Sequence, residues 1–202
     1  MSVAVEMMMK GRRRSGAVRG VLVLILVLGL ALVGQGLLIP AKAALAQVLM
    51  DRAFSRAQET DSPVKAWPWA DTAPIARITA PRLGVSEIVL SGGSGEAMAF
   101  GPTHMPGSAL PGQRGTAVFA AHRDTHFRFL KDLRPGDVLG LEDIHGVRTT
   151  YRVEGGYVVR NDRFGIDRHA VKLALTTCWP FDADRRGPMR YVLMAQRVPD
   201  QG

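Results

Sequence analysis

The first part of the chain carries one long apolar run. Between Gly20 and Ile39, Gln35 is the one polar side chain. About 20 such residues form a helix long enough to cross the roughly 30 Å hydrocarbon core of a bilayer. The run has no polar face, which argues against a helix packed on the core of a soluble domain. We therefore predict a transmembrane anchor over residues 20–40.

A helical pattern continues beyond this anchor. Residues 41–60 contain no Gly or Pro. Apolar side chains recur there at helical spacing, at Leu45, Val48, Leu49 and Ala53. Residues 61–74 then bring three prolines and two tryptophans, a composition that ends a helix. We predict that residues 41–74 form a juxtamembrane helix, which docks weakly or acts as a spacer, followed by a linker.

From Ile75 onward the pattern changes to short β-rich runs separated by Gly, Pro and Asp. Short helices are expected around residues 95–100 and 126–133. Many short strands with turn signals between them are typical of a barrel or a sandwich. We predict an all-β domain over residues 75–198. Its eight strands are expected at 75–79, 87–90, 116–121, 137–142, 148–153, 156–160, 171–177 and 190–197.

The charged residues indicate how the anchor is oriented. A basic cluster precedes the apolar run, at Lys10, Arg12, Arg13, Arg14 and Arg19. Such clusters stay on the cytoplasmic side during membrane insertion. We therefore predict a cytoplasmic basic tail over residues 1–19 and a periplasmic or otherwise extracytoplasmic domain. A cleaved signal peptide is the alternative, because AKA and ALA follow the run, but secretory apolar regions usually span about 7 to 15 residues.

The net charge of +8 raises the question of a nucleic-acid partner. Much of this charge belongs to the basic tail. From Pro40 onward Lys and Arg are interspersed with Asp and Glu, and no basic stripe is interleaved with aromatic side chains, as tracking a nucleic-acid strand would require. We expect no nucleic-acid partner.

The chain has one cysteine, Cys178. It cannot form an intramolecular disulfide, and a free thiol outside the cytoplasm is a liability unless it is inert or useful. Leu173 and Leu175 share one face of the preceding strand, whereas Cys178 follows on the opposite face. Free cysteines are usually buried and inert, but this face offers little burial. A packing thiol and a nucleophile both remain open.

Two other side chains have positions comparable to that of Cys178. Arg190 begins the next strand, and antiparallel pairing would bring it opposite the thiol. An arginine there favours the thiolate and offers donors to an oxyanion. His122 follows the strand at 116–121, and an imidazole can exchange protons with a thiol and a leaving amine. The other candidates for this proton transfer are His104, His126, His145 and His169.

Zinc is the main alternative for these residue types. His122 and His126 form an H-x-x-x-H pair, a spacing found in zinc sites. The pair follows a strand, however, no Glu stands next to the first His, and the chain has no C-x-x-C pair. We predict neither a metal nor a cofactor.

Together these motifs resemble those of the sortases, membrane-anchored cysteine transpeptidases of prokaryotic cell surfaces. ALTTC, ending at Cys178, is similar to the family's T-L-x-T-C signature, although Ala174 replaces its first Thr. HRDTHF, beginning at His122, looks like its catalytic histidine segment. Arg190 follows the cysteine by twelve residues, as the essential arginine does in many members. WPWADT and TTCWPFDA resemble the Gram-negative subgroup, class GN.

The resemblance implies a sortase-like β-barrel behind an anchor in the inner (cytoplasmic) membrane. It implies that Cys178 attacks the Thr carbonyl of a protein substrate carrying a C-terminal LPxTG-like sorting signal, and that His122 protonates the leaving amine. Arg190 would hold the substrate backbone or stabilise the oxyanion, and Thr177 would add a hydroxyl contact to the substrate. An amine acceptor on the cell surface would resolve the thioester.

Three questions remain open from the sequence. A cysteine peptidase would use the same residues with water as acceptor. A non-catalytic anchored β-domain would bind a periplasmic partner and use Cys178 for packing. Arg185 and Arg186 lie in the same loop as Arg190 and compete with it for the role of the catalytic guanidinium.

Overall fold

A computed structural model of the chain describes residues 2–183, 185 and 187–199, with side chains described from Arg19 onward. The chain divides into two units, Met1–Leu45 and Ala46–Gly202. Helix α1 runs over Ser2–Thr60. Within the described residues, the segment Arg19–Thr60 contains one stretch that is long and apolar enough to cross a membrane. The side chains of that apolar stretch are not buried. A long apolar helix is therefore confirmed, and its role as a membrane anchor stays a prediction.

The second unit is built on a closed β-barrel. In the part of the chain that the structure describes, eight strands are hydrogen-bonded in the order β1-β2-β3-β4-β7-β8-β6-β5. Short 3-10 helices lie at Pro81–Leu83, Ala97–Ala99 and Arg128–Asp132. The strands are β1 Pro74–Ala80, β2 Val85–Leu90, β3 Thr103–His104, β4 Gly115–Ala120, β5 Val138–Asp143, β6 Arg148–Arg160, β7 Val171–Cys178 and β8 Met189–Arg197. The predicted eight-stranded barrel is thus confirmed.

Two of the predicted strands were wrong in detail. The runs at 148–153 and 156–160 form a single strand, β6, whose register against β8 shifts between Val153 and Gly155. The two glycines there mark a bulge instead of a turn, and a side chain at Gly156 would collide with the Tyr191 hydroxyl. β3 went unpredicted, because two residues are too short to leave an alternating pattern. The predicted number of eight strands was therefore right because one strand was predicted as two and another was missed.

The last turns of α1 pack on the barrel more firmly than the sequence indicated. Phe54 is 1% exposed and contacts a cluster that includes Ile88 and Leu90 of β2. The Arg77 guanidinium lies 5.0 Å from the centroid of the Phe54 ring and forms an ion pair with Asp51 at 3.0 Å. A weakly docked helix or a spacer was therefore the wrong expectation for this segment.

The apolar positions that indicated this helix are mostly not the ones that it buries. Leu45 and Val48 are 58% and 46% exposed. Of the four positions, Ala53 is fully buried. The buried stripe runs through Ala46, Met50, Phe54 and Ala57, mostly one residue later along the chain. The large apolar side chains of Met50 and Phe54 are therefore the ones that this helix buries, with alanines beside them.

Strand β7 is buried on both faces. Leu173 and Leu175 point into the main core with Phe119 of β4, as the alternation predicted. On the other face Ala174 is fully buried in a smaller cluster, against which Phe164 and Ile166 pack. The segment between β6 and β7 therefore covers the outside of the barrel beside the end of β7.

Candidate active site

The ends of two parallel strands bring His122 and Cys178 to the same edge of the barrel. β4 and β7 are parallel neighbours, with Ala120 opposite Thr176. The Ala121 N–H continues this pairing and donates to the Thr176 carbonyl at 3.2 Å. Because parallel strands end at the same edge, His122, two residues beyond β4, lies beside Cys178, the last residue of β7.

The neighbouring antiparallel strand adds Arg190. In the ladder between β7 and β8, Cys178 is directly opposite Arg190. The predicted pairing of these two positions is confirmed. It follows from a simple hairpin-like connection, in which sequential strands become neighbours.

These side chains line one cavity of about 330 Å³. Cys178, His122, Arg190 and Thr177 all contribute to its wall. Its other lining residues include Met98, Met105, Phe164 and Asn161. The cavity therefore combines a thiol, an imidazole and a guanidinium with an apolar wall.

Among the residues that the structure describes, neither the Cys178 thiol nor the His122 imidazole has a hydrogen-bond partner. Both groups line the cavity and are free to contact a substrate. In ligand-free sites, catalytic hydrogen bonds often tighten only once the substrate is bound.

The Arg190 guanidinium is held on one side by the backbone. Its Nη1 donates to the Gly187 carbonyl at 2.8 Å and to the Met189 carbonyl at 2.9 Å. Nε and Nη2 have no partner among the described residues. These two bonds fix the side chain, and within the described part of the chain they leave Nε and Nη2 available at the cavity. Arg185 is exposed, and Arg186 lies outside the described residues.

Thr177 has a bond that the sequence did not indicate. The side chain is 2% exposed, and its hydroxyl donates to the Ala121 carbonyl at 2.7 Å. This hydroxyl therefore ties the residue before Cys178 to the residue before His122. A substrate contact would have to use the hydroxyl oxygen as an acceptor, and it stays a prediction.

Three of the other histidines are bonded elsewhere. His126 Nδ1 lies 2.8 Å from Glu87 Oε2, and His104 Nε2 lies 2.9 Å from the Ala109 carbonyl. His145 pairs with Asp61, and this hydrogen bond raises the pKa of His145. The two histidines of the H-x-x-x-H pair thus face different surroundings. Within the described residues, no three His, Cys, Asp or Glu side chains are grouped so that they could hold a metal.

An aromatic cluster supports the segment that follows Cys178. The rings of Trp179 and Tyr191 are stacked with centroids 5.9 Å apart. Phe181 meets both rings edge-on, at 5.5 and 5.2 Å. Burial raises the pKa of Tyr191 and keeps its phenol neutral. The residues directly after Cys178 are therefore held in place by packing against Tyr191.

Sequence reasoning missed the apolar wall of the cavity. Met98 and Phe164 lie between strands, in segments without a strand pattern. Phe164 has one sequence signal, a large apolar side chain within an otherwise polar loop. Such residues are often buried under a loop, and this signal could have found it. Met98 lies in the short helix Ala97–Ala99, where no such contrast marks it.

Comparison with known proteins shows which family this chain resembles. Residues 78–198 match the family model described as Sortase domain. The chain is 31% identical over 121 residues to Sortase D of Bacillus subtilis (strain 168), covering 58% of this chain and 61% of that protein. It therefore spans less than two thirds of this relative.

Solved structures agree with the match. Sortase A from Corynebacterium diphtheriae superposes with a TM-score of 0.58 at 25% identity, covering 65% of this chain and 63% of that one. The sortase D5 transpeptidase of Clostridium perfringens superposes with a TM-score of 0.61, covering 77% of this chain and 99% of that one. At 18% identity the second likeness concerns the fold alone. Because the family match covers more than half of the residues and includes the cavity that holds Cys178, the chain belongs to the sortase family.

Proposed function

We propose that this chain is a cysteine transpeptidase. It cleaves an LPxTG-like sorting signal near the C-terminus of a protein substrate and transfers the acyl group to an amine acceptor on the cell surface. The observation that carries the proposal is the cavity that Cys178, His122 and Arg190 line together.

The chemistry divides into two acyl transfers. The Cys178 sulfur, as thiolate, attacks the carbonyl carbon of the threonine in the signal. The tetrahedral intermediate collapses when the protonated His122 ring gives its proton to the leaving amine, which frees the C-terminal fragment and leaves a thioester. The acceptor amine then attacks the thioester and loses a proton to His122. The new amide departs and the thiolate is restored, so no further reactant is needed.

Arg190 acts on the oxygen of the reacting carbonyl. Nε and Nη2 are the guanidinium donors without a protein partner among the described residues. A fixed cationic donor lowers the energy of the transition state when it is aimed where negative charge develops. The bonds from Nη1 to Gly187 and Met189 hold the fork in place before the substrate arrives.

The apolar wall supports the proposed substrate class. Met98, Met105 and Phe164 offer surfaces for uncharged side chains, as the Leu and Pro of an LPxTG-like signal have. Flexible methionines adapt to ligands of irregular shape. A highly charged peptide would find few partners on this wall.

The membrane arrangement is part of the proposal. α1 anchors the chain in the inner membrane with residues 1–19 in the cytoplasm and the barrel in the periplasm, as a member of the Gram-negative class GN would be arranged. The basic cluster before the apolar run supports this orientation. Mass spectrometry of the mature protein tests retention of the anchor: a mature N-terminus near Ala44 or Gln47 would show that a signal peptidase removes it.

An acceptor competition assay tests the proposed function. The purified chain is given quenched fluorescent peptides built on the pattern LPxTx, with and without an added amine such as triglycine. We expect cleavage, and we expect the amine to appear in the product at the expense of hydrolysis. Hydrolysis alone at saturating amine would indicate a cysteine peptidase. A native thiol that resists alkylation, together with uncleaved peptides, would indicate a packing role for Cys178.

Arg190→Lys is expected to slow acylation about 10²- to 10³-fold, the usual effect of losing one directed donor to an oxyanion. A lysine ammonium keeps the charge but cannot hold the backbone carbonyls and the substrate together with a planar fork. Single-turnover acylation rates measure the effect. Arg185→Lys is the matched control and should stay near wild type, since Arg185 is exposed. The reverse ranking would mean that the loop supplies the guanidinium.

A further inference from the structure

Arg123, directly after His122, is a buried arginine whose charge is satisfied mainly by backbone carbonyls. Its side chain is 7% exposed. Nη1 donates to the Pro180 carbonyl at 2.5 Å, and Nη2 donates to the Ala183 carbonyl. Nε donates to Asp124 Oδ1 at 3.1 Å. A buried guanidinium without such partners would be strongly destabilising, so these bonds fix where the side chain lies.

The carbonyls that Arg123 holds belong to the segment after Cys178. Pro180 follows the thiol by two residues, and Ala183 lies three residues further on. The planar guanidinium reaches both with two separate nitrogens. The segment after His122 is thereby fastened to the segment after Cys178.

A second hydrogen bond joins the two segments just before His122 and Cys178. The Thr177 hydroxyl, one residue before the thiol, donates to the carbonyl of Ala121, one residue before the imidazole. His122 and Cys178 are therefore flanked by side-chain-to-backbone bonds before and after each of them. The ladder between β4 and β7 stops at the bond from Ala121 to Thr176, so beyond His122 and Cys178 the restraint comes from side chains.

We propose that Arg123 is a positioning residue, which fixes the separation of the His122 ring and the Cys178 sulfur. This inference rests on the proposed function. Arg123 is not among the residues that line the cavity, so it acts by holding His122 in place relative to the segment after the thiol. A displacement of about 1 Å between reacting groups can lower a rate about 10²-fold, which sets the expected size of the effect.

Arg123→Ala and Arg123→Lys test the proposal. We expect both variants to fold, because the cluster of Trp179, Phe181 and Tyr191 also holds the segment. We expect kcat for LPxTx peptides to fall about 10²-fold in Arg123→Ala, with KM little changed. Arg123→Lys should recover only part of the loss, since an ammonium cannot serve both carbonyls with the same geometry. Arg148→Ala is the matched control, because its side chain is 81% exposed.

A second readout needs no sorting signal. The rate at which iodoacetamide alkylates Cys178 is measured against pH in the wild type, in Arg123→Ala, in His122→Ala and in the double variant. If Arg123 acts through His122, the double variant should match His122→Ala alone. Effects that simply add, or an Arg123→Ala profile identical to wild type with only a lower melting temperature, would overturn the proposal and leave a stabilising role.

The two readouts separate this inference from the proposed function. Peptide transfer by the wild type together with unchanged kcat in both Arg123 variants would refute the positioning role and leave the function standing. Uncleaved peptides together with non-additive alkylation would refute the proposed function and leave the positioning role standing.

Discussion

Cys178→Ala is expected to abolish both cleavage and transfer while the chain stays folded. In the proposed mechanism the sulfur forms the thioester, and a methyl group cannot replace it. Cys178 is half-buried at the end of β7, on the cavity side of the strand, and it is absent from the buried core. The free energy of unfolding should therefore change by no more than about 0.5 kcal/mol. Initial rates on LPxTx peptides and a thermal melt of the same sample measure the two effects.

Cys178→Ser is the matched control for this result. It keeps the shape of the side chain but replaces the sulfur with a far weaker nucleophile, so activity should also be lost. Loss of folding in Cys178→Ala would make the thiol part of the core. Peptide transfer by either variant at the wild-type rate would end the assignment of Cys178 as nucleophile.

His122→Ala is expected to lower turnover about 10²- to 10⁴-fold, the usual contribution of a general acid and base. Among the described residues, the His122 ring lines the cavity and has no hydrogen-bond partner. In the proposed mechanism this ring protonates the leaving amine, and an alanine cannot do so. Steady-state rates with saturating amine measure the loss, and the fold should persist because the ring does not belong to a core cluster.

His126→Ala separates this chemical role from a structural one. His126 lies four residues later and bonds to Glu87, so its removal should affect stability more than turnover. Equal losses of turnover in the two variants would show that the loop as a whole, and not the His122 imidazole, is needed.

Local pattern was enough to predict the part of the candidate site that lies on sequential strands. The alternation in β7 predicted that Leu173 and Leu175 point into the core. The position of β8 as the next strand after β7 predicted the pairing of Cys178 with Arg190. Both inferences depend on the two-residue period of a strand and on neighbouring strands pairing, and both were confirmed.

The parallel pairing of β4 with β7 could not be predicted in this way. The two strands are separated by β5 and β6 along the chain, and no local pattern encodes which distant strand becomes a neighbour. The position of His122 beside Cys178 could therefore be expected only from the resemblance. The buried stripe of α1 was missed for a related reason: the barrel surface, and not the helix alone, decides which residues pack.

The burial of Arg123 is a third feature that could not be predicted from the sequence. In the sequence Arg123 is one arginine among several in charged loops, and arginine is usually exposed. Its burial depends on carbonyls of Pro180 and Ala183 that are close only once the barrel has formed. Nothing within the HRDTHF segment itself reveals that contact.

The distance along the chain between β4 and β7 also bears on how the protein folds. β4 ends at Ala120 and β7 begins at Val171, and their pairing joins the two halves of the domain. Contacts between such distant segments are slow to form, because the intervening chain must be ordered first. We therefore expect His122 and Cys178 to meet late in folding. A partly folded chain in which β4 and β7 are not yet paired carries the thiol without the imidazole beside it.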